Sequence, residues 1–175
     1  MEVHGKFRSA LGFLGCGMLA ILAASPAAAQ AARGKADLKA GAGSITIDYG
    51  RPSLKGRDML SQLADGAFWR MGMNEATVLA TPVELVFGST KVPKGSYSLW
   101  LKKSGASFEL VFNSQTGQWG TNHDPSKDVY TVPMKSEPLS SPVEMFTIDL
   151  KGAAKGGDLE LNWGSTKLTS AFTIG

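Results

Sequence analysis

The residues best suited to chemistry lie close together in the stretch 49–77, YGRPSLKGRDMLSQLADGAFWRMGMNEAT. Arg51, Arg57 and Arg70 offer planar guanidinium forks, which match carboxylates and phosphates and can donate to polyhydroxyl groups. Trp69 and Tyr49 supply flat faces, and Asn74 and Glu75 add hydrogen-bonding groups. Converging on one concave surface, such groups would recognise a glycan, an anionic small molecule or a protein partner. Were the stretch an enzyme's, Glu75 would be the acid or base, because apolar neighbours can raise a glutamate toward neutrality. A glycosidase-type mechanism needs a second carboxylate roughly 5–9.5 Å away, for which Asp48 and Asp58 are the candidates.

A structural reading competes with both. The acidic groups Asp48, Asp58, Asp65 and Glu75 stand against Arg51, Lys55, Arg57 and Arg70. Four against four is a self-neutralising set. It is expected to pair internally and to clasp a long connection onto a sheet, with Trp69 as the buried anchor.

Other candidates are weaker. His123 is the only histidine after the first thirty residues, and with Asp124 and Asp128 it could offer a metal one nitrogen and two oxygens. The spacing fits no calcium loop or zinc signature, and Asn122-His123-Asp124-Pro125 reads as a turn, so no metal and no cofactor is expected. The chain contains no Gly-x-Ser-x-Gly, His-Glu-x-x-His, phosphate-loop or dinucleotide fingerprint. Trp119 sits in a polar loop, either as a lid folded onto the core, the preferred reading, or as a stacking surface for a sugar. The balance favours a binding or interaction module, with a carboxylate-dependent hydrolase using Glu75 as the alternative.

The elements that must position these groups are strands. Ile45, Ile47 and Tyr49 alternate with polar residues, as do Val83, Leu85 and Phe87, then Tyr97, Leu99 and Leu101, then Phe108, Leu110 and Phe112. Phe146, Ile148 and Leu150, followed by Leu159, Leu161 and Trp163, continue the pattern. Trp100 falls on the nominally polar face of its strand. Pro93-Lys94-Gly95 reads as a hairpin loop, Pro133 marks an edge strand, and 138–142 reads as a linker turn. The expectation is an all-β fold: one antiparallel β-sandwich or barrel-like domain of nine or ten strands over 44–175, with 49–77 as its one long irregular crossing. Residues 30–43 read as a flexible lead-in.

Residues 1–29 have the parts of a secretory signal peptide: Lys6 and Arg8, an apolar run over 10–24, and Ala27-Ala28-Ala29 for cleavage. The single cysteine, Cys16, lies in the middle of the apolar run instead of closing it, which disfavours lipid attachment there. Without the leader the chain is cysteine-free and has 16 basic and 14 acidic residues, a net of +2. That excludes disulfides and thiolate sites. It also argues against nucleic acid as a partner, since no basic stripe is visible, and no later segment is apolar enough to span a bilayer. The expected location is periplasmic or secreted.

Four spaced motifs go further. They are Tyr49-Gly-Arg-Pro-Ser with Lys55-Gly-Arg57; Trp69-Arg70-x-Gly72-x-Asn74-Glu75-Ala-Thr77; Pro93-x-Gly95-x-Tyr97-Ser98-Leu99; and Trp119-Gly120. Together they resemble the bacterial domain of unknown function 2911 family, exported proteins, over roughly residues 45–150. The resemblance implies export and no particular activity. Ala67 and Met71 depart from the family's usual valine or phenylalanine and threonine at those places.

Overall fold

The computed structural model describes residues 1–2 and 33–175. The leader read over 1–29, with Cys16, lies outside them apart from Met1 and Glu2. Ten strands follow in order: β1 (Arg33–Ala40), β2 (Gly43–Gly50), β3 (Phe68–Trp69), β4 (Val78–Thr81), β5 (Leu85–Phe87), β6 (Thr90–Val92), β7 (Gly95–Ser104), β8 (Ser107–Asn113), β9 (Asp128–Ala153) and β10 (Gly156–Ile174). All pair antiparallel. They form one sheet in the order β1-β2-β4-β7-β8-β9-β10-β5-β6, with β3 added beside β7 and no closure into a barrel.

The sheet folds over itself as a sandwich because one face of each main strand is apolar. Ile45 and Ile47 of β2, Leu99 and Leu101 of β7, and Leu110 and Phe112 of β8 are fully buried together with Phe146, Leu159 and Leu161 of the β9–β10 hairpin. Each such side chain contributes about 1.5–3 kcal/mol of burial. Tyr49 ties the layers directly. Its ring meets Phe146 edge-on at 5.6 Å, and its hydroxyl donates to the Ile148 carbonyl at 3.2 Å.

Four local expectations are corrected. Residues 33–40 are not a flexible lead-in but strand β1, paired with β2 along its whole length. Charged residues alternate strictly with its inward residues, three of which are small (Gly34, Ala36 and Ala40) beside Leu38, and small residues with Gly have low strand propensity. Smallness is required here: a Cβ on Gly34 would lie 2.5 Å from Tyr49 Cζ. Pro93-Lys94 does not close a hairpin, because β6 pairs with β5 while β7 pairs with β4. It is a crossover between distant strands, held by Tyr97 Oη donating to Pro93 O at 3.0 Å.

Pro133 lies on no edge, since β9 has β8 on one side and β10 on the other. The ladder to β10 stops at Lys135, so the proline's missing N–H costs no bond there, and the Ser170 hydroxyl donates to its carbonyl. Residues 138–142 are no linker but an irregularity within β9, between the pairs Gly164↔Val143 and Thr166↔Pro138.

Hydrogen exchange checks the first correction. Amides of β1 that face β2 are expected to exchange on the order of a hundredfold slower than the Gly41-Ala42 turn. Uniformly fast exchange over 33–42 would contradict it.

Candidate functional site

The crossing 51–77 is fastened at both ends by backbone bonds. Its first part runs beside β9: Leu54 N donates to Glu144 O at 3.0 Å, Phe146 N donates to Pro52 O at 2.9 Å, and Ser53 bridges to Met145. Arg51 reinforces this, donating from Nε to Phe146 O at 3.2 Å and from Nη2 to Thr147 Oγ1 at 3.0 Å. The Glu144 carboxylate accepts from the Ser53 hydroxyl and from Lys55 N, which together hold it below the usual glutamate value. A capped turn follows, with Asp58 Oδ1 accepting from Ser61 N and Leu60 buried beneath. β3 then pairs with β7, Phe68 opposite Lys102 and Trp69 opposite Leu101.

Trp69 anchors the crossing, as its size suggested. Its ring stacks on Trp163 at 5.1 Å and meets Phe146 edge-on at 4.9 Å. Beyond it the chain must pass very close to the end of β2. A Cβ on Gly50 would stand 2.1 Å from Met73 O, so only glycine fits. Met71 takes a left-handed φ of 49° that costs roughly 1–2 kcal/mol. Complete burial and a 2.7 Å bond from Thr77 Oγ1 to Met71 O hold it there.

The internally paired charge set does not form. Asp48 and Glu75 both bind Arg33 of β1, the latter at 2.9 Å. Asp58 caps its turn, and Asp65 accepts from Gly105 N at 2.6 Å. The carboxylates answer backbone groups and an arginine outside the stretch, because those are nearer than its own cations. Glu75 is half-exposed and paired with Arg33. Arg57 is exposed and makes no side-chain bond among the described residues.

Two of the six predicted site residues, Trp69 and Arg70, line one cleft. It has a volume of about 410 Å³ and is completed by Met59, Phe68, Trp100, Gly120, Thr121 and His123. It lies on the outer face of the β3–β7 layer, where Phe68 and Trp100 project away from the core. The imidazole of His123 stacks on Trp100 at 4.3 Å and tilts against Phe68 at 4.4 Å. Its Nε2 meets Asp128 Oδ1 at 2.9 Å, and Asn113 Nδ2 donates to the same oxygen at 2.8 Å. Asp124, the other proposed metal ligand, instead accepts from Ser126, which lowers its pKa. Among the described residues no group of three ligating side chains is assembled.

Arg51, Arg57, Asn74 and Glu75 lie outside the cleft lining. Asn74 supports it through backbone, accepting from Gly120 N at 2.8 Å, while Glu75 bridges to Trp119. Trp119 is 49% exposed and forms no lid on the core. The sequence reading missed Thr121, Met59, Phe68 and Arg33. The available signals were a tryptophan on a polar strand face and the lone histidine after residue 30, which turn out to stack on each other.

Two of the widely spaced motifs thus meet in space: Gly120 lies against Asn74 and the Arg70 stem, and Trp119 bridges to Glu75. Residues 31–172 match the family described as Protein of unknown function (DUF2911). The chain belongs to the DUF2911 family. No curated protein and no solved structure matches it. In this DUF2911 chain the matched region takes in all the residues of the cleft.

The Glu144 clasp gives a pH prediction. A carboxylate held below its ordinary value of 4.5 adds stability above that pH and loses it as pH falls through the folded value. Between neutral pH and about pH 3, the wild type should lose more unfolding free energy than Glu144→Gln. Parallel losses in denaturant melts would remove the clasp's electrostatic part.

Proposed function

We propose that the protein is an exported binding module of the cell envelope whose ligand site is the cleft lined by Phe68, Trp69, Arg70, Trp100, Thr121 and His123, and that the ligand is a saccharide. The observation that carries this reading is one open recess in which partly exposed aromatic rings, Phe68, Trp69 and the His123 imidazole stacked over the buried Trp100, lie beside the polar groups of Arg70 and Thr121. Sugar rings present apolar C–H faces, which lie against aromatic side chains, and hydroxyls, which need donors and acceptors at the rim. Thr121, Arg70 and His123 supply those polar groups, and the cleft volume of about 410 Å³ falls in the range of small-molecule sites. The leader-like sequence over 1–29 supports export, and an envelope location would bring the cleft into contact with glycans.

A binding role is preferred to the carboxylate-dependent hydrolase. Glu75 lies outside the cleft and is bound to Arg33, and the cleft lining contains no Asp or Glu.

Titrating the mature chain with a panel of peptidoglycan fragments and envelope oligosaccharides tests the reading. A binding saccharide should perturb tryptophan fluorescence, since Trp69 and Trp100 line the cleft, and should raise Tm by mass action. Thr121→Trp, at an exposed position, should fill the cleft and abolish both effects while the protein stays folded. No response to any saccharide, or an undiminished response in Thr121→Trp, would refute it.

A further inference from the structure

The geometry points to an acidic saccharide, a sugar ring bearing a carboxylate, as the class of ligand this cleft takes. This deepens the saccharide reading above and rests on it. The arginines differ in what they bind. Arg33 is neutralised by Asp48 and Glu75, and Arg51 is spent on the Phe146 carbonyl and the Thr147 hydroxyl. Arg70 differs. Its Nε donates to Gly72 O at 3.2 Å, which fixes the plane of the guanidinium. Its two terminal amino groups bond nothing among the described residues, and no carboxylate lies within ion-pair distance.

The cleft around Arg70 is lined by no acidic side chain at all. A half-buried guanidinium with no ion-pair partner keeps its planar fork free, and that fork matches a carboxylate in a bidentate fashion. The backbone is shaped to keep it there. A Cβ on Gly120 would stand 2.7 Å from Arg70 Cδ and 2.6 Å from Asn74 O, so the glycine makes room for the arginine stem.

His123 adds the complementary feature. Asp128 is an acceptor, so the ring nitrogen facing it, Nε2, must carry the hydrogen. The other ring nitrogen, Nδ1, makes no bond among the described residues and is left for a ligand. One fixed cation and one unengaged ring nitrogen, beside aromatic side chains, suit a ligand with a carboxylate and a hydroxyl on one ring, since a hydroxyl can both donate and accept. Uronic acids have that chemistry, whereas neutral sugars leave Arg70 unanswered and simple anions leave the aromatic walls and Nδ1 unused.

The test uses oligogalacturonides, their methyl esters, neutral galactan oligomers and inorganic phosphate, titrated calorimetrically into the mature chain. The oligogalacturonide should bind, weaken as salt rises, and bind about tenfold or more weakly to Arg70→Gln. Esterification removes the charge without touching the protein, so the methyl ester should lose affinity equally even if Arg70→Gln does not fold. If neutral oligomers or the ester bind as tightly as the acid, this inference falls and the saccharide reading stands. Phosphate binding as tightly as the uronide would overturn it in favour of a plain anion site. If no saccharide binds, both readings fall.

Discussion

The packing of Trp69 is the interaction on which the arrangement depends. Its ring is held between Trp163 of β10 and Phe146 of β9, while its backbone belongs to β3 on the opposite layer. One side chain therefore joins the crossing segment, both layers and the floor of the cleft. A partly buried tryptophan in contact with two other aromatic rings contributes on the order of a few kcal/mol. It also sets the path of its neighbours, because Phe68 must then face the outer surface and Arg70 must leave the strand at the cleft rim. The glycine contact at Gly50 and the strained Met71 follow from the same path. Backbone strain held in place by burial beside a cleft is how fixed recognition geometry is commonly built.

Clasp and cleft wall are therefore not alternatives for this segment. Its first half, through Arg51, Ser53 and Glu144, fastens it to β9. Its second half, through Trp69 and Arg70, shapes the cleft. The two arginines look equivalent in sequence, and what separates them is the supply of acceptors. Arg51 lies against a carbonyl and a hydroxyl of β9, while Arg70 bonds one carbonyl and leaves its terminal amino groups free among the described residues.

Much of the architecture was legible in the sequence because strand alternation with large apolar residues is a strong signal, as at Leu99 and Leu101 or Phe146 and Ile148. β1 was overlooked although Arg33, Lys35, Asp37 and Lys39 alternate with Gly34, Ala36, Leu38 and Ala40, because small residues and Gly carry low strand propensity and mask the pattern. The Pro93–Gly95 hairpin failed because turn chemistry specifies a local reversal but not which strands then pair. For the site, Trp69 and Arg70 were identified, and the pairing of charges was not. Counting charges within one stretch ignored Arg33, which arrives from β1 through the sheet register Arg33↔Gly50. His123 over Trp100 was equally out of reach, because a loop and a strand 23 positions apart meet only through the fold.

The central claim is that ligand recognition occurs at Arg70 and the aromatic wall, and not at the other arginines of the crossing. Nitrogen-15 spectra of the mature chain, recorded for indole and guanidinium N–H groups during titration with an oligogalacturonide, test it most directly. The account predicts that the signals of Arg70, Trp69 and Trp100 shift together, while those of Arg51, Arg57 and Trp119 stay in place. Shifts centred on Arg57 or Trp119, with Arg70 unmoved, would contradict it.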